Sequence, residues 1–582
     1  MRKQLEDLRK KMREKHIDAY IIPTTDFHGS EYVNDYFKCR EFVSGFTGSA
    51  GTLAVTAEAA ALWTDGRYFI QAEHELAGGG IALMREGEEG VPEIPTWLQQ
   101  DLCLNGEAAK NRTVGFDGRV VSAKFGTQLE EKFSVEANVD LVGEIWDDRP
   151  KLAASEIYPI GQGVTGERAD SKIARVREAM KEANAAAHLI TSLEEIAWLF
   201  NLRGRDVQHT PVFYAFLLLH EDRTTVYILN NADKVKSLFG DEIEIKPYTD
   251  IFDDLRLLKC ANIMLDEKTA SFGLVNAIPA AVSKMNREDP AMLMKAIKNR
   301  EEMNCTRQAH LRDGAAVTKF IYKLKQRVSR ESMTEISVAD LLWEERKAQG
   351  AYDLSFETIA GYQEHGAIIH YAATPETNAD LEPKGFLLVD SGGQYADGTT
   401  DITRTIALGD LTEEMKQCYT TVLKSHIALA TAEFSRETTG AELDGIARRP
   451  LKETGLDYKH GTGHGVGHML SVHEGPATIS PRGTECHILP GMIMSNEPGV
   501  YLAGKFGIRL ENEILCREVA DGRYAFETIT LCPFDREAIL PQLLTEKEKA
   551  WLNAYHARVY DALSPLLNDE ESKWLETEVS EL

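Results

Sequence analysis

Four carboxylates in the last third of the chain sit in or beside apolar, strand-like runs. They are Asp390 in LLVDSGGQY, Asp401 in DGTTDITRT, Glu497 in MSNEPGVY and Glu511 in GIRLENEI. An ionised carboxylate is costly to bury unless it is paired or coordinates a metal. Four of them on converging strands repel one another without cations, so the fold of this region must build a cation cradle. His464 in HGTGHGVGH adds one imidazole. Four carboxylates and one imidazole suit two divalent ions sharing a site. Hard oxygen donors with a single nitrogen favour Mn²⁺, or another hard or borderline ion, over a thiolate zinc centre. Two such ions can hold a hydroxide between them, which is the chemistry of hydrolysis.

Local patterns say how the residues are presented. Asp390 ends the apolar run FLLV just before Ser391-Gly392-Gly393, Asp397-Gly398 is a turn signal, and TTDITRTIAL alternates as a strand. An antiparallel pair is expected, with Asp390 and Asp401 facing each other and Asp401, Thr403 and Thr405 on one face. Glu497 follows MIM and precedes Pro498-Gly499, a strand entering a turn. Period two puts Arg509, Glu511 and Glu513 on one face, and for Glu513 the expectation is a surface ladder of alternating charge. Glycines beside His464 permit close backbone approach.

Half of the sixteen histidines lie between 365 and 487, which localises the chemistry before any motif is named. His460, His464, His468 and His473 fall within fourteen residues. For His468, a direct role and packing behind the ligands are both open. HGTGHGVGH lacks the GxGxxG spacing, and GFTGSAG at 45–51 reads as a structural turn. His473-Glu474-Gly475-Pro476 is not HExxH, so a zincin reading fails.

A chain of 582 residues is too long for one core. An internal echo divides its first half. LRKKMREKHIDAYII (8–22) and VREAMKEANAAAHLI (176–190) are each an amphipathic helix running into an apolar strand. FVSGFTG (42–48) and WLFNLRG (198–204) follow them in turn. Duplication of an α/β unit is the reading. The charged, proline-bearing IWDDRPKLAASE (145–156) reads as a linker, with a boundary near 150. Helical periodicity from Met292 to Gln326 leads into a third unit, which ends in a helical tail. The tail's stripe of Trp551, Leu552, Tyr555, Val559 and Leu563 is expected to be packing surface, with a dimer contact as the second reading.

The net charge of −27, with no basic run to offset it, excludes a nucleic-acid or anionic-membrane partner. No run approaches the roughly 20 apolar residues of a membrane span. The eight cysteines are scattered without a CxxC pair, and MRKQLEDLRKKMREKH has no apolar leader core. Reduced thiols and a cytoplasmic location are expected.

In this order, Asp390, Asp401, His464, Glu497 and Glu511 resemble the Asp, Asp, His, Glu, Glu pattern of the pita-bread metallopeptidases. HGTGHGVGHMLSVHEGP, NEPGVY, FGIRLEN and EHGAIIHY look like the Xaa-Pro aminopeptidase branch. SGFTGSAGTLAVT, ALWTDGRYFIQAE and IAWLFNLRG look like the amino-terminal domains of its long, three-domain, cytosolic form. The resemblance implies two creatinase-like α/β domains, 1–150 and 151–298, then an α+β pita-bread catalytic domain with a helical extension, 299–582. It implies that Asp390 and Asp401 bind one metal, that Asp401 and Glu511 bridge, and that His464 and Glu497 complete the other. Glu497 is the implied partner of the catalytic water. His370, His460, His473 and Arg509 match substrate-site positions, with His473 or His370 able to stabilise an oxyanion. Manganese is the implied metal, with cobalt and zinc as alternatives, and a homodimer the implied assembly. The implied reaction removes the N-terminal residue from peptides with proline second. A prolidase acting on Xaa-Pro dipeptides is the nearest rival, followed by a metal-free creatinase and an inactive pita-bread binding protein.

Overall fold

A computed structural model describes residues 2–103 and 108–582. The chain divides into two compact units, one of residues 1–161 and 167–291, the other of 162–166 and 292–582.

The first unit contains the echo as two sheets of identical topology. The first sheet runs β1 (Ala19–Pro23), β2 (Thr52–Thr56), β3 (Ala60–Thr64), β4 (Ala82–Arg85), β5 (Thr113–Phe116) and β6 (Ser134–Glu136), in the spatial order β4-β3-β2-β1-β5-β6. The second runs β7 (Ala187–Ile190), β8 (Ala215–His220), β9 (Thr224–Ile228), β10 (Ile243–Pro247), β11 (Asn262–Leu265) and β12 (Ser283–Asn286), ordered β10-β9-β8-β7-β11-β12. In both, the first strand pairs antiparallel to the second and parallel to the fifth. Helix α1 (Lys3–Glu14) feeds β1, and α2 (Ala169–Glu182) feeds β7. Leu5, Leu8 and Met12 of α1 cover Tyr20 and Ile22, while Ala19 and Ile21 enter the core on the opposite face. That alternation explains why β1 is apolar throughout: both faces are covered. The echoed turns also agree. Gly45 ends one helix in the left-handed region at φ 70°, and Asn201 takes the same role in the other at φ 55°.

The helical stretch expected from Met292 to Gln326 comprises two helices, Pro290–Ala296 and then α3 (Arg300–Arg327) of the second unit. Asn299 breaks the run as an N-cap. Its side chain accepts from the N–H groups of Glu301 and Glu302, and the Glu302 carboxylate accepts from the Asn299 N–H. A three-stranded antiparallel sheet has the order β13 (Ile359–Tyr362), β14 (Phe386–Ser391), β15 (Ile402–Ala407). A six-stranded sheet holds β16 (Gly463–Gly465), β17 (Glu474–Ile479), β18 (Ile493–Asn496) and β20 (Asn512–Ala520), in the order β20-β18-β16-β17, with Arg523–Thr528 and Glu433–Ser435 beyond β20. Strand β19 (Phe506–Arg509) pairs with Gly499–Leu502. Helices α4 (Gly440–Lys452), α5 (Glu546–Leu563) and α6 (Asp569–Glu578) flank these sheets.

The tail stripe is packing surface. Leu552, Tyr555, Val559 and Leu563 of α5 are buried in this unit's own core with Tyr419, Phe386 and Phe534, and Trp551 packs against it. All eight cysteines are unpaired. No helix among the described residues is long and apolar enough to cross a membrane.

Candidate metal centre

The five expected residues occupy strand ends and one narrow strand. Asp390 lies near the end of β14, Asp401 just before β15, Glu497 just after β18 and Glu511 between β19 and β20. His464 is the centre of β16. Its glycines are required by space: a Cβ on Gly463 would meet the Ser495 carbonyl at 2.0 Å, and one on Gly465 the Glu474 carbonyl at 2.3 Å. The expected facing of Asp390 and Asp401 is corrected by two residues. Asp390 pairs with Thr403, which places Asp401 diagonally. The strands approach closely beside it: a Cβ on Gly392 would meet the Thr400 carbonyl at 1.9 Å.

The side chains converge. Ligand atoms of Asp401, His464 and Glu511 lie within 4.8 Å of one another. His464 Nε2 is 3.4 Å from Asp401 Oδ2 and 3.7 Å from Glu497 Oε1. His464 Nδ1–H donates to the Gly465 carbonyl at 2.9 Å, which leaves the Nε2 lone pair facing the carboxylates. Arg509 Nη2 donates to Asp390 Oδ2 at 2.6 Å, and Thr403 Oγ1 donates to Glu511 Oε2 at 2.6 Å. Solvent reaches the cradle from one side: the His464 and Glu497 side chains are 19% and 18% exposed, that of Asp401 5%.

The donor set fits two divalent ions. Asp390 Oδ1 and Asp401 Oδ1 are buried with no hydrogen-bond partner, which a buried carboxylate oxygen does not tolerate without a cation. Burial, then the charges of Asp390, Glu497 and Glu513, push the Asp401 carboxyl well above its ordinary value. Burial, then Asp401, Glu497 and Asp390, do the same to Glu511. Glu497 is raised by burial against the opposing pull of His464 and Arg509. Positive charge supplied at the cradle favours the ionised form of these acids.

The expected substrate-site residues border the cradle. The His473 ring stands edge-on to His464 with centroids 4.4 Å apart. Arg509 Nη1 donates to the Tyr501 hydroxyl at 2.8 Å, and Tyr501 lies 2.8 Å from His460 Nε2. His460 Nδ1–H donates to the Gly461 carbonyl at 2.7 Å, so Nε2 accepts the Tyr501 proton. Asp390, Arg509, Tyr501 and His460 thus form one oriented chain. His370 follows a turn at 363–367, and the neighbouring Ile369 carbonyl is 3.4 Å from Arg509 Nη2. His468 is buried behind the ligands, its Nδ1 3.2 Å from Thr306 Oγ1 on α3.

Three residues escaped the sequence. Glu513 is fully buried rather than on a surface ladder, because its face of β20 is covered by α3. His310 of α3 has Nε2 3.1 Å from Glu513 Oε1. The charge of Glu513 raises the imidazole pKa although burial opposes it. Tyr501 carried no signal beyond its nearness to Pro498-Gly499.

Known families match the chain along nearly its whole length. The model of metallopeptidase family M24 matches residues 304–518 and that of its C-terminal region 522–582. Creatinase/prolidase N-terminal domain models match 4–150 and 148–302. Aminopeptidase P2 of Arabidopsis thaliana is 39% identical over 96% of this chain and 85% of its own. The crystal structure of an X-prolyl aminopeptidase from Caenorhabditis elegans, described as a cytosolic enzyme with a di-nuclear active site, superposes with a TM-score of 0.94. It is 32% identical over 100% of this chain and 99% of its own. An Xaa-Pro dipeptidase from Bacillus anthracis, 25% identical with a TM-score of 0.53, covers 99% of its own length but 63% of this chain. Fold and cradle together define a metallopeptidase: two creatinase-type α/β domains precede a pita-bread domain. The chain belongs to the Xaa-Pro aminopeptidase P family of M24 metallopeptidases, enzymes that use two divalent metal ions.

Proposed function

We propose that this enzyme removes the first residue from peptides whose second residue is proline, with two Mn²⁺ ions as the resident metals. The observation that carries the reading is the cradle itself: ligand atoms of Asp401, His464 and Glu511 lie within 4.8 Å of one another, Glu497 Oε1 is 3.7 Å from His464 Nε2, and buried Oδ1 atoms of Asp390 and Asp401 lack any hydrogen-bond partner. Asp390, Asp401, His464, Glu497 and Glu511 would hold the two ions in this proposal. When bound, the ions supply Lewis acidity and a water activated at neutral pH.

The chain's own residues do the rest. Glu497, on the solvent side, accepts a proton from the attacking water and passes it to the leaving proline nitrogen. His473 or His370 donates to the developing oxyanion. His460, oriented by Tyr501 and Arg509, binds substrate. Arg509 also holds Asp390 in place. The proposed domain limits are 1–150, 151–298 and 299–582. A cytosolic location is proposed, since the Caenorhabditis relative is described as cytosolic, and a homodimer is the form the family resemblance implies.

Incubation with Xaa-Pro-Yaa tripeptides and Xaa-Pro dipeptides after Mn²⁺ loading tests the reading. Release of the first residue alone from tripeptides is expected. Cleavage confined to dipeptides would make it a prolidase. Asp401→Ala should lose ion binding and activity together.

A further inference from the structure

Asp401 lies just outside the regular ladder. The β14–β15 ladder begins at Ile402, paired with Ser391. Ahead of it the pairing is interrupted at Gly392 and Asp401; the Thr400 N–H still donates to the Gly393 carbonyl at 3.0 Å, and side chains add further hydrogen bonds. Ser355 Oγ donates to the Thr400 carbonyl at 2.8 Å, and the Gly393 N–H donates to Thr400 Oγ1 at 3.0 Å. The Asp401 N–H donates to Glu513 Oε1 at 2.8 Å. Glu513 is in turn fixed from two sides. Its own N–H donates to Thr530 Oγ1 at 2.8 Å, and its Oε1 lies 3.1 Å from His310 Nε2. His310 is tied to α3 by Nδ1–H donating to the Thr306 carbonyl at 2.9 Å. Glu513 and His310 are both almost wholly buried, so neither meets substrate.

We propose that Glu513, braced by His310, is a positioning residue that aims the Asp401 carboxylate into the cradle. The proposal rests on Asp401 being a metal ligand. What Glu513 contributes is reach: its side chain is long enough for a carboxylate on β20 to meet the Asp401 peptide N–H just ahead of β15. Residues behind a ligand typically change metal affinity by about 10–100-fold when altered.

Two near-isosteric variants separate reach from charge. Glu513→Asp keeps the charge and retracts the acceptor by one methylene. Glu513→Gln keeps an oxygen acceptor at full reach and removes the charge. Mn²⁺ binding to chelator-stripped full-length protein, by titration calorimetry, is the readout, with the melting temperature followed alongside. The expected result is an affinity about tenfold weaker for Glu513→Asp and within about threefold of the parent for Glu513→Gln. Gln weaker than Asp, or both at parental affinity whatever their melting temperatures, would overturn the positioning role. A parent protein that binds no Mn²⁺ would instead sink the two-ion reading on which the proposal rests.

Discussion

Thr403 stands at the point where the cradle and the substrate side meet. Its hydroxyl donates to Glu511 Oε2 and itself accepts from Arg509 Nε at 3.2 Å. One hydroxyl therefore orients a ligand and the guanidinium that holds Asp390. Thr403→Val keeps the shape and removes both bonds. Metal affinity should fall by about 10–100-fold, measured by titration of the stripped protein, and parental affinity would refute the linkage. Tyr501 behaves differently because it touches no ligand. In Tyr501→Phe, His460 Nε2 loses its donor, and KM for a Xaa-Pro-Yaa peptide should rise by about tenfold, the worth of one hydrogen bond at a charged site. Bound metal should be unchanged. At this scale the sequence was legible where a polar residue interrupts an apolar run, as at Asp390 and Glu497. It was not legible at Glu513. A period-two pattern says which residues share a face but not which face is covered, and the cover here is α3, two hundred residues away in sequence. His310 gave no signal either, because one histidine inside a long helix is ordinary.

Among elements, β15 is the one on which the catalytic unit hangs, and Arg404 is the reason. Its guanidinium donates to the carbonyls of Thr403, Glu511, Cys532 and Pro533, to Asn512 Oδ1 and to the Tyr555 hydroxyl. One buried side chain thus joins β15, the start of β20 and helix α5 of the tail. A planar five-donor fork can span these acceptors, and an ammonium cannot. Arg404→Lys should destabilise the protein by on the order of 3 kcal/mol, because several buried carbonyls lose their donors. A denaturant midpoint equal to that of the parent would refute this. The tail was legible as an amphipathic helix, and its stripe does pack on its own chain. Its tie to the cradle was not, since nothing in TTDITRTIAL marks Arg404 as an inward residue. The repeated sheets were more legible than any single strand, because helix, strand and turn recur together. The break within the helical stretch was not legible because a capping residue, Asn299, looks like any polar surface position until its partners are seen.

The whole molecule carries opposing pH dependences in groups outside the proposed ligand set. His28 of the first unit, and His426 and His556 of the second, are buried and neutral, held down to about 3 mainly by burial. In the unfolded chain each titrates near its ordinary 6.5. A base with a depressed folded pKa contributes stability above the unfolded value, and loses it as the pH falls below. At pH 5 the loss is roughly 2 kcal/mol per histidine. Glu578 of α6 runs the other way. Burial raises it to about 7, against the pull of Lys325 and with help from Asp535 and Glu537. A carboxyl with a raised folded pKa favours the folded state below its unfolded pKa, and that advantage disappears as the pH rises through 7. The net charge of −27 adds self-repulsion on the same alkaline side. With metal content held constant, the melting profile should therefore peak between roughly pH 6 and 7. Two compact units allow two transitions, and the assignments differ between them. Acid should lower both, because each unit holds a buried neutral histidine. Glu578→Gln should raise only the transition of the second unit, at pH 8, and change it little at pH 5. Equal shifts at both pH values, or a movement of the first unit's transition, would show that the carboxyl at 578 is not the group that titrates.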